Sequence, residues 1–154
     1  MSALNEMLNR IVSLETQLKN VQQALRENSR GDTAGAAPVL QQGRELGRKL
    51  KELKDSLYNS EVQRDAGQDQ IHYLQRFQDR LQSAGFGLAL AYAQPPTEVQ
   101  AARMKELRAA LDGYLGRFNE LLRSDVAAFN TTAQERQAPV LVAGQPIEVR
   151  LVSR

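Results

Sequence analysis

A chain of 154 residues with 20 Lys+Arg, 18 Asp+Glu and a single His carries a formal charge of +2, a near-balance that gives no electrostatic footprint for nucleic acid. The absence of cysteine removes disulfides, thiolate catalysis and Cys-based metal sites; one histidine, His72, removes His-pair metal sites and argues against a Ser-His-Asp triad. Leu (21), Ala (19) and Gln (16) dominate and Trp is absent, which is the composition of long helices in one domain large enough to close its own core.

The N-terminus does not read as a targeting segment. Met1–Leu8 contains Asn5 and Glu6, and Arg10 follows, whereas a secretory signal needs an unbroken apolar stretch. The longest apolar run, Leu88–Ala93, is too short to span a bilayer, so a soluble chain is expected.

The first predicted helix, residues 3–28, has the clearest pattern. Leu4, Ile11, Leu18 and Leu25 form one heptad position and Met7, Leu14 and Val21 the other. Glu6–Arg10 and Glu15–Lys19 are acid-first i,i+4 pairs. Under four heptads is short for a free coiled coil, so this reads as one rod of a bundle. Ser29, Gly31, Asp32 and Gly35 then predict a break over Asn28–Ala37, with Pro38 in the first turn of the next helix.

The second predicted helix, 38–59, has the stripe Leu46, Leu50, Leu53 and Leu57, with Val39 or Leu40 upstream. Gly43 and Gly47 lie four apart, and each costs about 1 kcal/mol against Ala, so a close backbone approach is expected there. Arg44, Arg48, Lys49, Lys51 and Lys54 make the densest basic stretch, diluted by Glu45, Glu52 and Asp55. With no aromatic interleaved for base stacking, it reads as a solvated face. A polyanion- or membrane-surface role through Arg44, Arg48 and Lys51 is the sharper alternative.

Residues 59–67 carry either a continuation of the second helix or a turn. The third predicted helix, 66–92, shows Ile71, Leu74, Phe77, Leu81 and Ala84; its regular pattern ends near Gly85 or Gly87, the apolar stretch Gly85–Ala93 is either a buried continuation of the helix or a buried connector, and Pro95-Pro96 is a firm stop. Thr97-Glu98-Val99-Gln100 is a capping-box pattern. The fourth predicted helix, 97–134, follows with Met104, Leu107, Leu111, Tyr114 or Leu115, Phe118, Leu121 or Leu122, Val126 and Phe129, and a slight irregularity at Ser124-Asp125. Asn119 and Asn130, each beside a phenylalanine, are candidates for helix-end or inter-helix hydrogen bonds. Leu14, Leu18, Leu50, Leu53, Leu74, Phe77, Leu111 and Phe118 are the expected core.

From Ala138 the pattern changes. Val140-Leu141-Val142 and Ile147-x-Val149-x-Leu151 are β-like, and Pro139, Gly144 and Pro146 break helices. A hairpin across Gly144-Gln145 is one reading, but a lone hairpin is marginal in water. The tail therefore lies on the bundle, adds to a partner's sheet, or is disordered. The expected architecture is all-α, an antiparallel four-helix bundle over 1–137, most simply up-down-up-down, with a short β-prone C-terminal tail over 138–154.

Little chemistry is legible. Gly85-Phe86-Gly87 lacks the third glycine of a phosphate cradle, and neither a His-Glu-x-x-His nor an EF-hand loop occurs. His72 with Asp69 or Asp79 on neighbouring turns is the one acid–base candidate; a hydrogen-bonded or partly exposed His is the plainer reading. Asp65 and Asp69 share a helical face. Tyr58, Tyr73, Tyr92 and Tyr114 fit a bundle rim. No catalytic residue, metal site or cofactor is assigned.

Asp69-x-Ile71-x-Tyr73-Leu74-x-x-Phe77-x-Asp79-x-Leu81, then Ala91-Tyr92-x-x-Pro95-Pro96-Thr97, Leu107-x-x-x-Leu111 and Asp125-x-x-x-Phe129-Asn130, resemble the C-terminal helical region of bacterial BNR-repeat, sortilin-like β-propeller proteins, often labelled glycosyl hydrolases. These chains carry Ser-x-Asp-x-Gly-x-x-x-Trp boxes, and this sequence has none. The resemblance implies an accessory bundle that packs on or follows a propeller, an exported parent protein, and any hydrolase activity residing in the propeller. The expected function is thus a non-catalytic helical interaction or assembly domain. Its partner would be protein, either a second copy in a homodimer or the parent propeller, with no nucleic acid and no membrane span. Arg44, Arg48, Lys51, Ile147, Val149 and Leu151 are the candidate partner-binding residues. A small helical enzyme with a carboxylate/His72 crevice is the competing class.

Overall fold

The computed structural model describes residues 2–28, 33–58, 76–90 and 95–148. The chain is all-α: α1 (Ser2–Asn28), α2 (Thr33–Leu57), α3 (Phe77–Leu90), α4 (Glu98–Leu121), a π-helical turn (Leu122–Val126) and α5 (Ala127–Glu135) follow in order. The π turn joins α4 to α5 in one rod, so the described residues form four rods. No helix among the described residues is long and apolar enough to cross a membrane.

The chain divides into two compact units, Met1–Lys51 with Leu115–Arg154, and Glu52–Tyr114. This differs from one bundle over 1–137 with a separate tail. The described part of the tail belongs to the first unit, where side chains of Arg10, Gln17, Asn119 and Asn130 hold it.

In the first unit, the α1 seam is buried as its period requires: Leu4, Met7, Ile11, Leu14, Leu18 and Val21 are all excluded from water, while Leu25 is half-buried. A Cβ built on Gly43 of α2 would meet Leu18 and Gln22 of α1 and Phe129 of α5, and one on Gly47 would reach only Leu18. The close approach expected at both glycines thus exists at Gly43. Lys49 and Asp125, at the π turn, form a salt bridge. Positions 43 and 49 of α2 meet 129 and 125 of the fourth rod, so these two rods are antiparallel. The apolar face of the fourth rod is Leu115, Phe118, Leu122, Val126, Phe129 and Ala133. Its π turn lies at the predicted irregularity and keeps Leu122 and Val126 on the buried side.

In the second unit, the Phe77 ring of α3 packs at a tilt against the Tyr114 ring of α4, with ring centroids 5.2 Å apart. Ser83, Ala84 and Gly87 line a cleft with Gln100, Arg103 and Met104, so α3 and α4 are antiparallel. Both helices carry a side-chain bond at their start, single at α3 and reciprocal at α4. The Arg76 N–H donates to the Asp79 carboxylate at 2.9 Å. The Thr97 N–H donates to Gln100 Oε1 at 2.9 Å, and the Gln100 N–H donates back to Thr97 Oγ1 at 3.3 Å, which completes the capping box.

Four expectations need correction. First, α2 starts at Thr33, not Pro38. Thr33 to Ala37 is Ala-rich, and burial of Ala36 and Val39 offsets the backbone bond that Pro38 forgoes. Second, α3 begins at Phe77, with Arg76 outside the helix, and of the two readings left open for the stretch after Gly85 the helical continuation holds through Gly87 to Leu90. Glycine weakens a helix by about 1 kcal/mol without stopping it, and nothing crowds either position. Third, Leu111 is only half-buried; the α4 seam passes through Leu107 and Leu115 instead. Fourth, the first and fourth rods run parallel, whereas strict up-down-up-down alternation would oppose them; an extended segment lies along both, antiparallel to each. Leu74, Ile71, His72, Asp65 and Asp69, and the 59–67 junction, lie outside the described residues.

Candidate functional site

Among the described residues, 138–148 contain no strand and form no hairpin across Gly144-Gln145; Val149 to Arg154 lie outside the described residues. Residues 138–148 form a strap along α1 and the α4–α5 rod, and side chains of those helices hold its main chain. The Asn130 Nδ2 donates to the Leu141 carbonyl at 2.9 Å, and Asn130 Oδ1 accepts from the Leu141 N–H at 2.7 Å. Gln17 does the same for Val142, donating at 3.1 Å and accepting at 2.8 Å. Asn119 clasps Ile147 at 2.9 and 2.8 Å. Arg10 donates to the Gln145 carbonyl, and its guanidinium is also held by Glu6 at 2.5 Å, the predicted i,i+4 pair.

These contacts follow from strand geometry. In extended chain, the N–H and C=O of one residue point to one side, and those of the next residue to the other. Leu141 therefore faces Asn130 of α5 while Val142 faces Gln17 of α1. A primary amide carries one donor group and one acceptor and so mimics the missing neighbouring strand. Asn119 and Asn130 lie on either side of the π turn, each directly after a buried phenylalanine, and both reach the strap.

The strap's own residues fit this role. Pro139 and Pro146 have no N–H to satisfy and favour extended backbone. Gly144 has φ +74°, the left-handed region that L side chains rarely adopt, so the bend before Gln145 calls for glycine. Leu141 and Ile147 are buried anchors, whereas Val140 and Val142 are 40% and 75% exposed. At the entrance, the α5 end closes with two backward bonds, Gln137 N–H to the Gln134 carbonyl at 3.0 Å and Ala138 N–H to the Ala133 carbonyl at 2.8 Å. This is a Schellman ending, but its left-handed position, φ +54°, is Gln137 and not glycine.

Of the sequence-derived candidates, Ile147 is thus a buried anchor in this chain's own groove. Val149 and Leu151 lie outside the described residues. Arg44, Arg48 and Lys51 are exposed on α2, apart from the strap contacts, and Lys49 in the same stretch is engaged with Asp125. Asn119 and Asn130 were legible as hydrogen-bonding side chains. Gln17 was not: it sits beside the buried Leu18 with nothing in the sequence to mark it out among 16 glutamines.

For the catalytic alternative, Asp79 is engaged in capping α3, and the α3–α4 cleft is lined by Ser83, Gln100, Arg103 and Met104 without a carboxylate. Among the described residues no cluster of His, Asp or Glu is arranged to hold a metal. Of the positions that carry the propeller-associated resemblance, Asp69, Ile71, Tyr73, Leu74, Ala91 and Tyr92 fall outside the described residues. No family model, curated protein or solved structure matches this chain.

Proposed function

We propose that this protein is a non-catalytic helical interaction domain whose working surface is the groove between α1 and the α4–α5 rod. The observation that supports this reading is the clasp itself: Gln17, Asn119 and Asn130 each bind both main-chain groups of one residue in an extended segment. Main-chain recognition of this kind gives affinity for extended polypeptide, and the pockets for Leu141 and Ile147 add a preference for two apolar residues six apart. An assembly role follows because such a groove can join chains without a large preformed flat interface.

The test uses the full chain with Leu141→Asp and Ile147→Asp, which unseats its own strap and leaves the groove residues intact. A fluorescent peptide of residues 138–148 is expected to bind it saturably, and a peptide carrying the same two Asp replacements is not. Adding Asn130→Ala to the chain should weaken binding roughly tenfold, the loss of one amide pair. A helical, cooperatively melting chain that ignores the wild-type peptide would overturn the reading.

A further inference from the structure

We infer that the groove accepts the 138–148 strap of a second copy of this chain, so that two molecules exchange straps across their α5 ends. This rests on the interaction reading above and names its partner. Three observations carry it. The clasp grips main chain through side-chain amides and two apolar anchors, and none of these contacts depends on strap and groove belonging to one molecule. An exchanged strap is identical in sequence, so every contact is reproduced.

The joint between α5 and the strap is short and strained. Gln137, a residue with a Cβ, is held at φ +54° to turn the chain back into its own groove. Opening that turn releases the strain, which favours exchange of the element beyond it. Extended, residues 136–140 reach about 17 Å, enough to pass from one groove mouth to another placed beside it.

The third observation is where apolar surface is left over. Val140 and Val142, two of the four exposed large hydrophobic residues among those described, lie on the strap just past the joint. In a two-fold exchange the crossing segments run next to one another there, and the valines of the two copies cover each other.

The experiment is complementation between two full-length variants. An acceptor with Leu141→Asp and Ile147→Asp has a groove but no seatable strap; a donor with Gln17→Ala, Asn119→Ala and Asn130→Ala has a strap but no clasp. Each alone is expected to sediment as a monomer, and a one-to-one mixture as a dimer. If both are helical and melt cooperatively yet stay monomeric when mixed, exchange is overturned.

Should either variant fail to fold, the joint supplies the test in the otherwise wild-type chain. Proline cannot adopt φ +54°, so Gln137→Pro opens the turn, while Gln137→Gly relaxes it closed. The dimer fraction after concentrated refolding should rise severalfold for Pro and fall for Gly. An unchanged fraction in both sinks the exchange. Peptide binding by the acceptor then separates the outcomes: monomers that bind the 138–148 peptide leave the interaction reading standing, and monomers that do not bind it remove both.

Discussion

The α1 helix and the 138–148 strap are both apolar-patterned, yet they are held by different forces. In α1, Leu4, Met7, Ile11, Leu14, Leu18 and Val21 recur every three or four residues, and each is buried where helical geometry alone puts it. Its backbone bonds are internal, so the helix needs from its surroundings only a place to hide one face. The strap has two buried anchors, Leu141 and Ile147, and its main chain is satisfied by Gln17, Asn119, Asn130 and Arg10 of other elements. Burial by periodicity is local information. The conformation of an extended segment held by distant side chains is not.

The comparison breaks most severely from the core side. Phe118 is fully buried at the middle of the fourth rod, and Phe118→Ala is expected to cost about 3–5 kcal/mol in denaturant unfolding. Leu18→Ala, on the α1 seam, should cost about 2–5 kcal/mol, and Leu111→Ala, half-buried, under about 2. Equal losses at Leu18 and Leu111 would mean that burial does not govern the seam.

From the strap side, the effect is smaller and local. Asn130→Ala leaves the Leu141 N–H and C=O without their partner, which should cost about 1–3 kcal/mol. Hydrogen exchange is the sharper readout. The Leu141 and Val142 amides should lose protection while amides at the middle of α1 keep theirs, because the strap opens without the helices. Loss of protection throughout both would show that the strap is integral to the helical core and cannot move by itself.

This contrast explains what was legible in the sequence. The α1 seam, the α2 stripe from Leu46 to Leu57, the capping box at Thr97 and the irregularity at Ser124-Asp125 are short-range patterns, and the structure has them. Pro38 misplaced the start of α2, since a local breaker was outweighed by flanking helix formers and by burial of Ala36 and Val39. The strap was legible as something other than helix, through Pro139, Gly144 and Pro146. Its course was not, because two of the residues that hold it, Arg10 and Gln17, are more than a hundred positions away.

Gly43 and Gly47 test how closely the rods approach. Both are helical, so Ala gains up to about 1 kcal/mol of propensity at either. At Gly43 the new Cβ would lie 3.3 Å from the Phe129 ring, itself fully packed, and overpacking should reverse the gain to a net loss of about 1 kcal/mol. At Gly47 the nearest side-chain atom is 4.0 Å away, and Ala should stabilise by about 0.5–1 kcal/mol. Opposite shifts in melting temperature are the expected signature.

The smallest expected effect lies at the joint between the two regions. Gln137 closes α5 in a left-handed conformation, φ +54°, which costs an L-residue roughly 1–2 kcal/mol. Glycine removes that strain but adds roughly 0.5–1 kcal/mol of unfolded-chain entropy, so Gln137→Gly should stabilise by only about 0.5 kcal/mol. The gain belongs to the closed strap, because the backward bonds from Gln137 and Ala138 form only when the turn is made. It should therefore appear as slower exchange of the Leu141 and Val142 amides, with exchange at the middle of α1 unchanged. If glycine slows exchange equally in both places, the turn is coupled to the whole core and not to the strap.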